Sequence, residues 1–302
     1  MGFSSQDDLI NQITANGKYL RRDGAKLTTP VHTAGGWHCL MGMNGNPIAS
    51  TFPGSSLAWV GCDESSGDGT NVFGIQHGGD VAAATKHVLN VGASMVAAAG
   101  APWQAKLVDL QGYYKLTGTD VTGTGSRALT GTPSMRYANG EGCEAFFVVA
   151  TAPTGGGPNL TASSYTNSDS VASRAFQGSP TMGAAADAYA GRIIHSGNAA
   201  GRYGPFLPKQ AGDRGIASIQ SFTFSGGTAY TGSGVLALCI ARPLLDISIP
   251  VSGMWSERDL VNQLPSLPRV YDDACLVWLL FGTGATTNNS PFTFALDFGW
   301  GG

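Results

Sequence analysis

Glu144-Ala-Phe-Phe-Val-Val-Ala-Thr-Ala-Pro-Thr-Gly-Gly-Gly-Pro158 is the stretch from which both the fold class and the division of the chain are read. Its first half is a continuous apolar run of strand length, rich in β-branched and aromatic residues, as in a strand buried on both faces. Its second half sets three consecutive glycines between two prolines, the composition of a linker or boundary. The same texture of short apolar runs cut by Gly, Asn and Pro extends outward in both directions. Upstream lie Trp37–Met43, Ile48–Phe52, Leu57–Val60, Val72–Gln76, Lys86–Ala98 and Ala105–Leu110, the last running into Gln111-Gly-Tyr-Tyr114. Downstream lie Arg192–His195, Ile216–Phe224, Val235–Ile240, Ala274–Phe281 and Phe292–Phe298. Turn-bounded runs of this kind predict a mainly β protein with sandwich or jelly-roll-like sheets and a few short helices. The glycine run splits it into two β-rich subdomains, residues 30–153 and 154–302, after an N-terminal helix and arm, residues 1–29.

Two near-copies of one nonamer predict where the helices fall. Ser5-Gln-Asp-Asp-Leu-Ile-Asn-Gln-Ile13 and Ser256-Glu-Arg-Asp-Leu-Val-Asn-Gln-Leu264 share a Ser that can cap a helix N-terminus and an acidic residue three positions on. Leu9, Ile10 and Ile13 form a narrow apolar stripe, matched by Leu260, Val261 and Leu264. A short helix is therefore expected over each. Lys18–Thr29, polar and basic, reads as an arm in which Arg21 and Arg22 can pair with acidic groups on a partner.

Charged residues are only 12% of the chain, against about 25% in ordinary soluble domains. Glycine, 44 of 302 residues, is at twice its usual share of about 7%. A surface so poor in charge is expected to be hidden in protein contacts. The net charge of −3 offers no basic footprint for a phosphate backbone, so nucleic acid is not an expected partner. Neither is a membrane: no run reaches the ~18 apolar residues of a spanning helix. The polar N-terminus lacks a signal-peptide pattern. Five widely spaced cysteines without a C-x-x-C pair fit folding in a reducing cytoplasm.

Catalytic signatures are absent: there is no G-x-S-x-G, H-E-x-x-H or phosphate-binding loop. His32 and His38, brought together around Gly35-Gly36 and followed by Cys39, suggest a metal superficially but read as loop histidines and a buried thiol. The acids of Asp63–Gly69 miss EF-hand spacing. Asp109, Glu144 and Asp213 lie near strands and could serve as an acid/base pair only if the fold joined two of them. No catalytic, cofactor-binding or metal-binding residue is expected, and no cofactor. Trp59, Trp103 and Trp278 belong to apolar runs and are expected in the core. Trp37 and Trp300 adjoin glycines, Trp255 follows one two residues on, and these three with Leu9, Ile10, Ile13, Arg21 and Arg22 are the expected interface residues.

Five segments together resemble a family of tailed-bacteriophage virion structural proteins. They are Asp7–Gly17, Val108-Asp-Leu-Gln-Gly-Tyr-Tyr114, Leu129–Tyr137, Tyr203-Gly-Pro-Phe-Leu-Pro208 with Gln210–Ile216, and Glu257–Pro268. The resemblance is to capsid decoration or cement components and implies a non-enzymatic protein of the virion, assembled in the host bacterial cytoplasm. Its implied partners are further copies of itself, for example in a trimer, and the major capsid protein. A tail, neck or baseplate component is the alternative, and a carbohydrate-binding or depolymerising adsorption module a more distant one.

Overall fold

The computed structural model describes residues 2–28, 32–66, 73–97, 102–184, 189–196, 204–232, 234–262 and 267–301. Helix α1, Gln6–Thr14, forms where its nonamer predicts. The Asp8 N–H donates to Ser5 Oγ at 3.0 Å, and the Asp8 carboxylate reaches back to the N–H and hydroxyl of Ser4 rather than to Ser5. Leu9 is buried and Ile10 exposed.

The expected arm is instead a strand. Strand β1, Tyr19–Thr28, pairs antiparallel along its whole length with Ser290–Gly299 of β15, Ser290–Gly301. Its inward side carries Lys26 and Thr28, which is why its sequence reads as polar. Lys26 Nζ donates to the carbonyls of Met43 (3.0 Å), Pro47 (2.6 Å) and Ile48 (3.2 Å), so the buried ammonium is solvated by backbone. Burial pulls its pKa down to about 8.

Strands β2 (Gly36–Cys39), β3 (Gly45–Asn46), β4 (Trp59–Gly61), β5 (Thr85–Met95), β6 (Trp103–Thr117), β7 (Ser126–Ala128) and β8 (Glu144–Thr151) follow. A four-residue helix, α2 (Thr119–Thr122), separates β6 from β7. Thr154–Asn167 is β9, Ile216–Gly232 β10, Val235–Ile249 β11, Ser256–Asp259 β12, Arg269–Val270 β13 and Leu276–Gly282 β14. The described strands make three sheets. The first is ordered β12-β5-β15-β1-β3 with β13 also on β5, the central one β2-β14-β6-β11-β8 with β4 also on β6, and the third β7-β10-β9.

The long central strands β6 and β11 serve both flanking sheets from one face. Trp103, Ala105 and Leu107 of β6 share a core with Val91, Phe292, Phe294, Leu296 and Phe298 of the first sheet. Further along, Tyr114 and Leu116 share a second core with Ile219, Phe222 and Phe224 of the third. Odd residues face inward in one case and even residues in the other, because the register slips between Leu110 and Gly112. The bulge adds one residue and keeps the same face buried. The opposite face, with Val108, Leu110, Phe146, Val148, Cys239 and Leu279, is covered by Met41, Phe52, Phe73 and Ile193. Burial on both sides explains the uninterrupted apolar runs Leu276–Leu280 and Ala145–Val149.

The sandwich expectation thus holds, while three finer expectations do not. Gly155-Gly156-Gly157 is no linker but part of β9, paired with β10 from Gly155↔Tyr230 to Gly157↔Thr228. A Cβ on Gly157 would stand 2.4 Å from the Met182 carbonyl, so the strand is glycine-rich to let two backbones approach. The spans 30–153 and 154–302 are not separate sheets either. β6 and β8 flank β11 in the central sheet, and β5 pairs β15 in the first. Lastly, Ser256–Asp259 is not helical but is edge strand β12, antiparallel to β5 from Ser256↔Ala93 to Asp259↔Asn90. Pairing with β5 overrides the helix-start pattern, and the Asp259 carboxylate caps a turn by accepting from the Val261 N–H at 2.8 Å. Of the expected helix near 256–264, residues 263 and 264 lie outside the described residues.

Candidate interaction surface

Seven large apolar side chains are exposed among the described residues, and four of them belong to two neighbouring segments. Val96 (48%), Val251 (46%), Met254 (53%) and Trp255 (45%) stand where the end of β5 meets the turn before β12. The turn is pinned to the strand at three points. Gly253 N–H donates to the Met95 carbonyl (2.8 Å), Ala97 N–H to Ser252 Oγ (2.9 Å), and Ser252 Oγ to the Ala97 carbonyl (3.0 Å). Trp255 lies over Gly92 of β5, where a Cβ would stand 2.3 Å from the indole Cζ2. Glycine at 92 therefore lets the ring lie against the strand while nearly half of it remains in solvent. An aromatic held by its backbone next to a methionine and two valines is an anchor of the kind found at interface centres.

The other residues expected at an interface are distributed differently. Trp37 is buried behind the central sheet, 5.3 Å from the Phe281 ring, so its neighbouring glycine marks close packing rather than exposure. Trp300 and Ile13 are half-buried, and Leu9 is buried. Arg21 lies 3.2 Å from Asp23 and 3.6 Å from Asp297, and Arg22 Nε donates to the Gln76 carbonyl at 3.0 Å. Only Trp255 among the three expected interface tryptophans lies in the exposed cluster. Val96, Val251 and Met254 were not singled out by sequence, although Met254-Trp255 directly after Pro250-Val-Ser-Gly is a pair of large apolar residues leaving a turn. Trp103 and Trp278 are core residues as expected, and Trp59 packs at the edge of the second core.

The buried polar groups are arranged for support. His32 and His38 do meet, their rings stacked at 3.8 Å with 4° between planes. Lone pairs in two parallel planes diverge from any common point, so this pair does not offer a metal two ligands. His38 Nε2 and the Tyr189 hydroxyl are 2.6 Å apart, and His32 Nε2 lies 3.0 Å from Met43 Sδ. Burial holds His32 down to about pKa 3, and burial, then the neighbouring His32 and Arg192, keep His38 well below the ordinary range. Burial also raises the Cys39 thiol to about 12. No group of three or more metal-ligating side chains converges among the described residues.

The three carboxylates considered for acid/base chemistry each have their own cation. Asp109, fully buried where the two cores adjoin, is gripped by Arg136 through Nη2–Oδ1 (2.6 Å) and Nε–Oδ2 (3.1 Å), and accepts from the Cys275 N–H (3.1 Å). Arg136 continues to the carbonyls of Cys62 (2.6 Å) and Leu110 (2.5 Å), which ties the end of β4 to β6, while the Cys275 N–H on Asp109 ties the start of β14 to it. Asp213 is held by Arg174, Tyr165 and Asn167, and these bonds, led by Arg174, keep its carboxyl down at about 2. Glu144 pairs with Lys209. A fourth cluster was missed by sequence: buried Lys86 donates to His77 Nδ1 (3.0 Å) and the Gly79 carbonyl (2.5 Å), while Glu64 accepts from the N–H groups of His77 and Gly78. These groups are saturated by one another and by backbone, which suits them to fastening loops onto sheets.

No helix of the described residues is long and apolar enough to cross a membrane. Comparison with protein-family models, with curated proteins and with solved structures finds no match.

Proposed function

We propose that this chain is a non-enzymatic structural protein of a tailed-bacteriophage virion, most simply a decoration or cement protein that stabilises contacts between capsid subunits. The observation that carries the reading is the pairing of a charge-poor chain with a pinned apolar cluster exposed among the described residues, Val96, Val251, Met254 and Trp255. Exposed apolar patches of this sort mark protein contacts, and the segments from Asp7–Gly17 to Glu257–Pro268 resemble virion proteins. The polar clusters favour the same side. Asp109, Asp213 and Glu144 are each paired with an Arg or Lys, whereas catalysis by paired carboxyls needs two facing a common space. A tail, neck or baseplate position is the second reading and rests on the same surface.

Copy number separates the two. Quantitative mass spectrometry of purified particles and of tail-less heads should find the chain at hundreds of copies per particle and retained on the heads. A few copies that leave with the tail would replace the first reading by the second. Absence from purified particles would reject both.

A further inference from the structure

One edge of β6 is taken by β11, and two strands placed end to end cover the other. β14 pairs with it from Gly282↔Trp103 to Leu276↔Asp109, and β4 takes over from Gly61↔Gly112 to Trp59↔Tyr114. A cysteine stands on each side of the junction, Cys62 directly after β4 and Cys275 directly before β14. The Leu110 N–H donates to the Cys275 carbonyl (2.8 Å) and the Cys62 N–H to the Gln111 carbonyl (3.0 Å), so the two cysteines lie opposite successive residues of one strand. Successive Cα atoms are about 3.8 Å apart. The facing pair therefore falls close to the roughly 4.4–6.8 Å between Cα atoms that a disulfide spans. In an ordinary strand such neighbours point to opposite faces. Here they do not, because Gln111 is the extra residue of the β6 bulge: Cys62, like Val60, and Cys275, like Val277, turn into the core behind the central sheet. Contact with the Cys62 sulfur is the first cause of the Cys275 thiol lying well above its ordinary pKa, ahead of burial. Cys39 and Cys239 share that core away from the junction, Cys143 belongs to the second core, and all five are free thiols.

We infer that Cys62 and Cys275 are an oxidation site, a thiol pair set by the fold to close into a disulfide when the protein passes from a reducing to an oxidising medium. The oxidant is a small disulfide of the glutathione class. The Cys62 thiolate attacks one of its sulfurs and expels one glutathione thiolate. The Cys275 thiolate then attacks the Cys62 sulfur of the mixed disulfide and expels the second. Two electrons pass from the pair to glutathione disulfide, and the two thiol protons pass to solvent or to the released glutathione. The bridge joins β4 to β14 where Arg136, on the Cys62 carbonyl, and Asp109, on the Cys275 N–H, already clamp the two backbones. Tying residue 62 to residue 275 closes most of the chain into one loop, the case in which a cross-link restricts the unfolded chain most. The inference does not depend on where on a particle the chain resides.

Incubating the full chain with glutathione disulfide at mildly alkaline pH tests it, in urea just below the unfolding transition so that local openings admit the reagent. Thiols counted after complete unfolding should fall from five to three. Peptide mapping should find one bridge, between residues 62 and 275, and the bridged protein should unfold at a higher temperature than the reduced one. Cys62→Ala and Cys275→Ala should each keep all their remaining thiols, whereas Cys239→Ala should still lose two. Five surviving thiols in the unmodified chain overturn the inference, as do glutathione adducts that never resolve into a bridge, or a bridge that joins another pair.

Discussion

At the scale of single residues, the histidines make the sharpest statement about stability. His32 and His195 are held neutral down to about pKa 3, burial being the first cause in both, and His38 is lowered in the same direction. In the unfolded chain each returns to about 6.5, so below that pH the unfolded state binds more protons than the folded one. The stability these groups provide is complete above pH 6.5 and is lost as the pH falls toward 3, each contributing a slope of about 1.4 kcal/mol per pH unit. Urea unfolding between pH 6.5 and 4.5 should therefore show stability falling as the pH falls, with His77 and His87, also lowered by burial, adding to the protons taken up on unfolding. A flat profile over that window would mean that the three rings are not buried neutral. Asp109 offers a second test. Asp109→Asn leaves Arg136 charged and buried without its partner and should cost about 3–5 kcal/mol in denaturant unfolding. An acid whose work was catalysis would instead lose an activity and leave the fold intact.

At the scale of elements, legibility depended on whether a segment's partners were of its own kind. The strands buried on both faces, β6, β8, β11 and β14, could be read directly, because Leu276–Leu280 or Ala145–Val149 is apolar whichever way it faces. Helix α1 was legible because a Ser cap is local chemistry. Strand β1 was not, since its inward side holds Lys26 and Thr28 and nothing in the sequence indicates that three carbonyls from Met43, Pro47 and Ile48 wait for the ammonium. The same holds for Gly155–Gly157, where proximity of another backbone, not flexibility, selects glycine. The Ser256 nonamer shows the limit of local pattern: four of its residues repeat a helix start and pair as a strand because β5 lies beside them. The exposed cluster was half legible, through Trp255, because the valines that complete it are brought by the fold.

These elements also change what a truncation can show. Removing residues 1–29 would take β1 from beside β15 and expose Phe294, so the product should be insoluble whether or not the N-terminus contacts a partner. Removing residues 1–16 takes away only α1, whose buried contact centres on Leu9. That protein should fold, with a loss of about 2 kcal/mol typical of one large apolar side chain, measured by thermal and urea unfolding. If it folds but no longer attaches to particles, α1 is part of the contact. Full attachment would leave the Trp255 cluster as the docking surface.

At the scale of the whole molecule, one central sheet carries two flanking sheets on one face and a cover of loops on the other, and strands from both sides of the glycine run are interleaved in it. The chain is short of charge, and among the described residues a pinned apolar cluster stands exposed beside edge strand β12. In a chain that decorates a capsid, as proposed, this cluster is the face that meets the neighbouring subunit. The most direct measurement is a cryo-EM reconstruction of the intact particle at side-chain resolution. The expected result is this chain in repeated copies between capsid subunits, with Val96, Val251, Met254 and Trp255 covered by the neighbouring protein. A particle lacking the chain on its head, or a head-bound chain with Trp255 facing solvent, would contradict it.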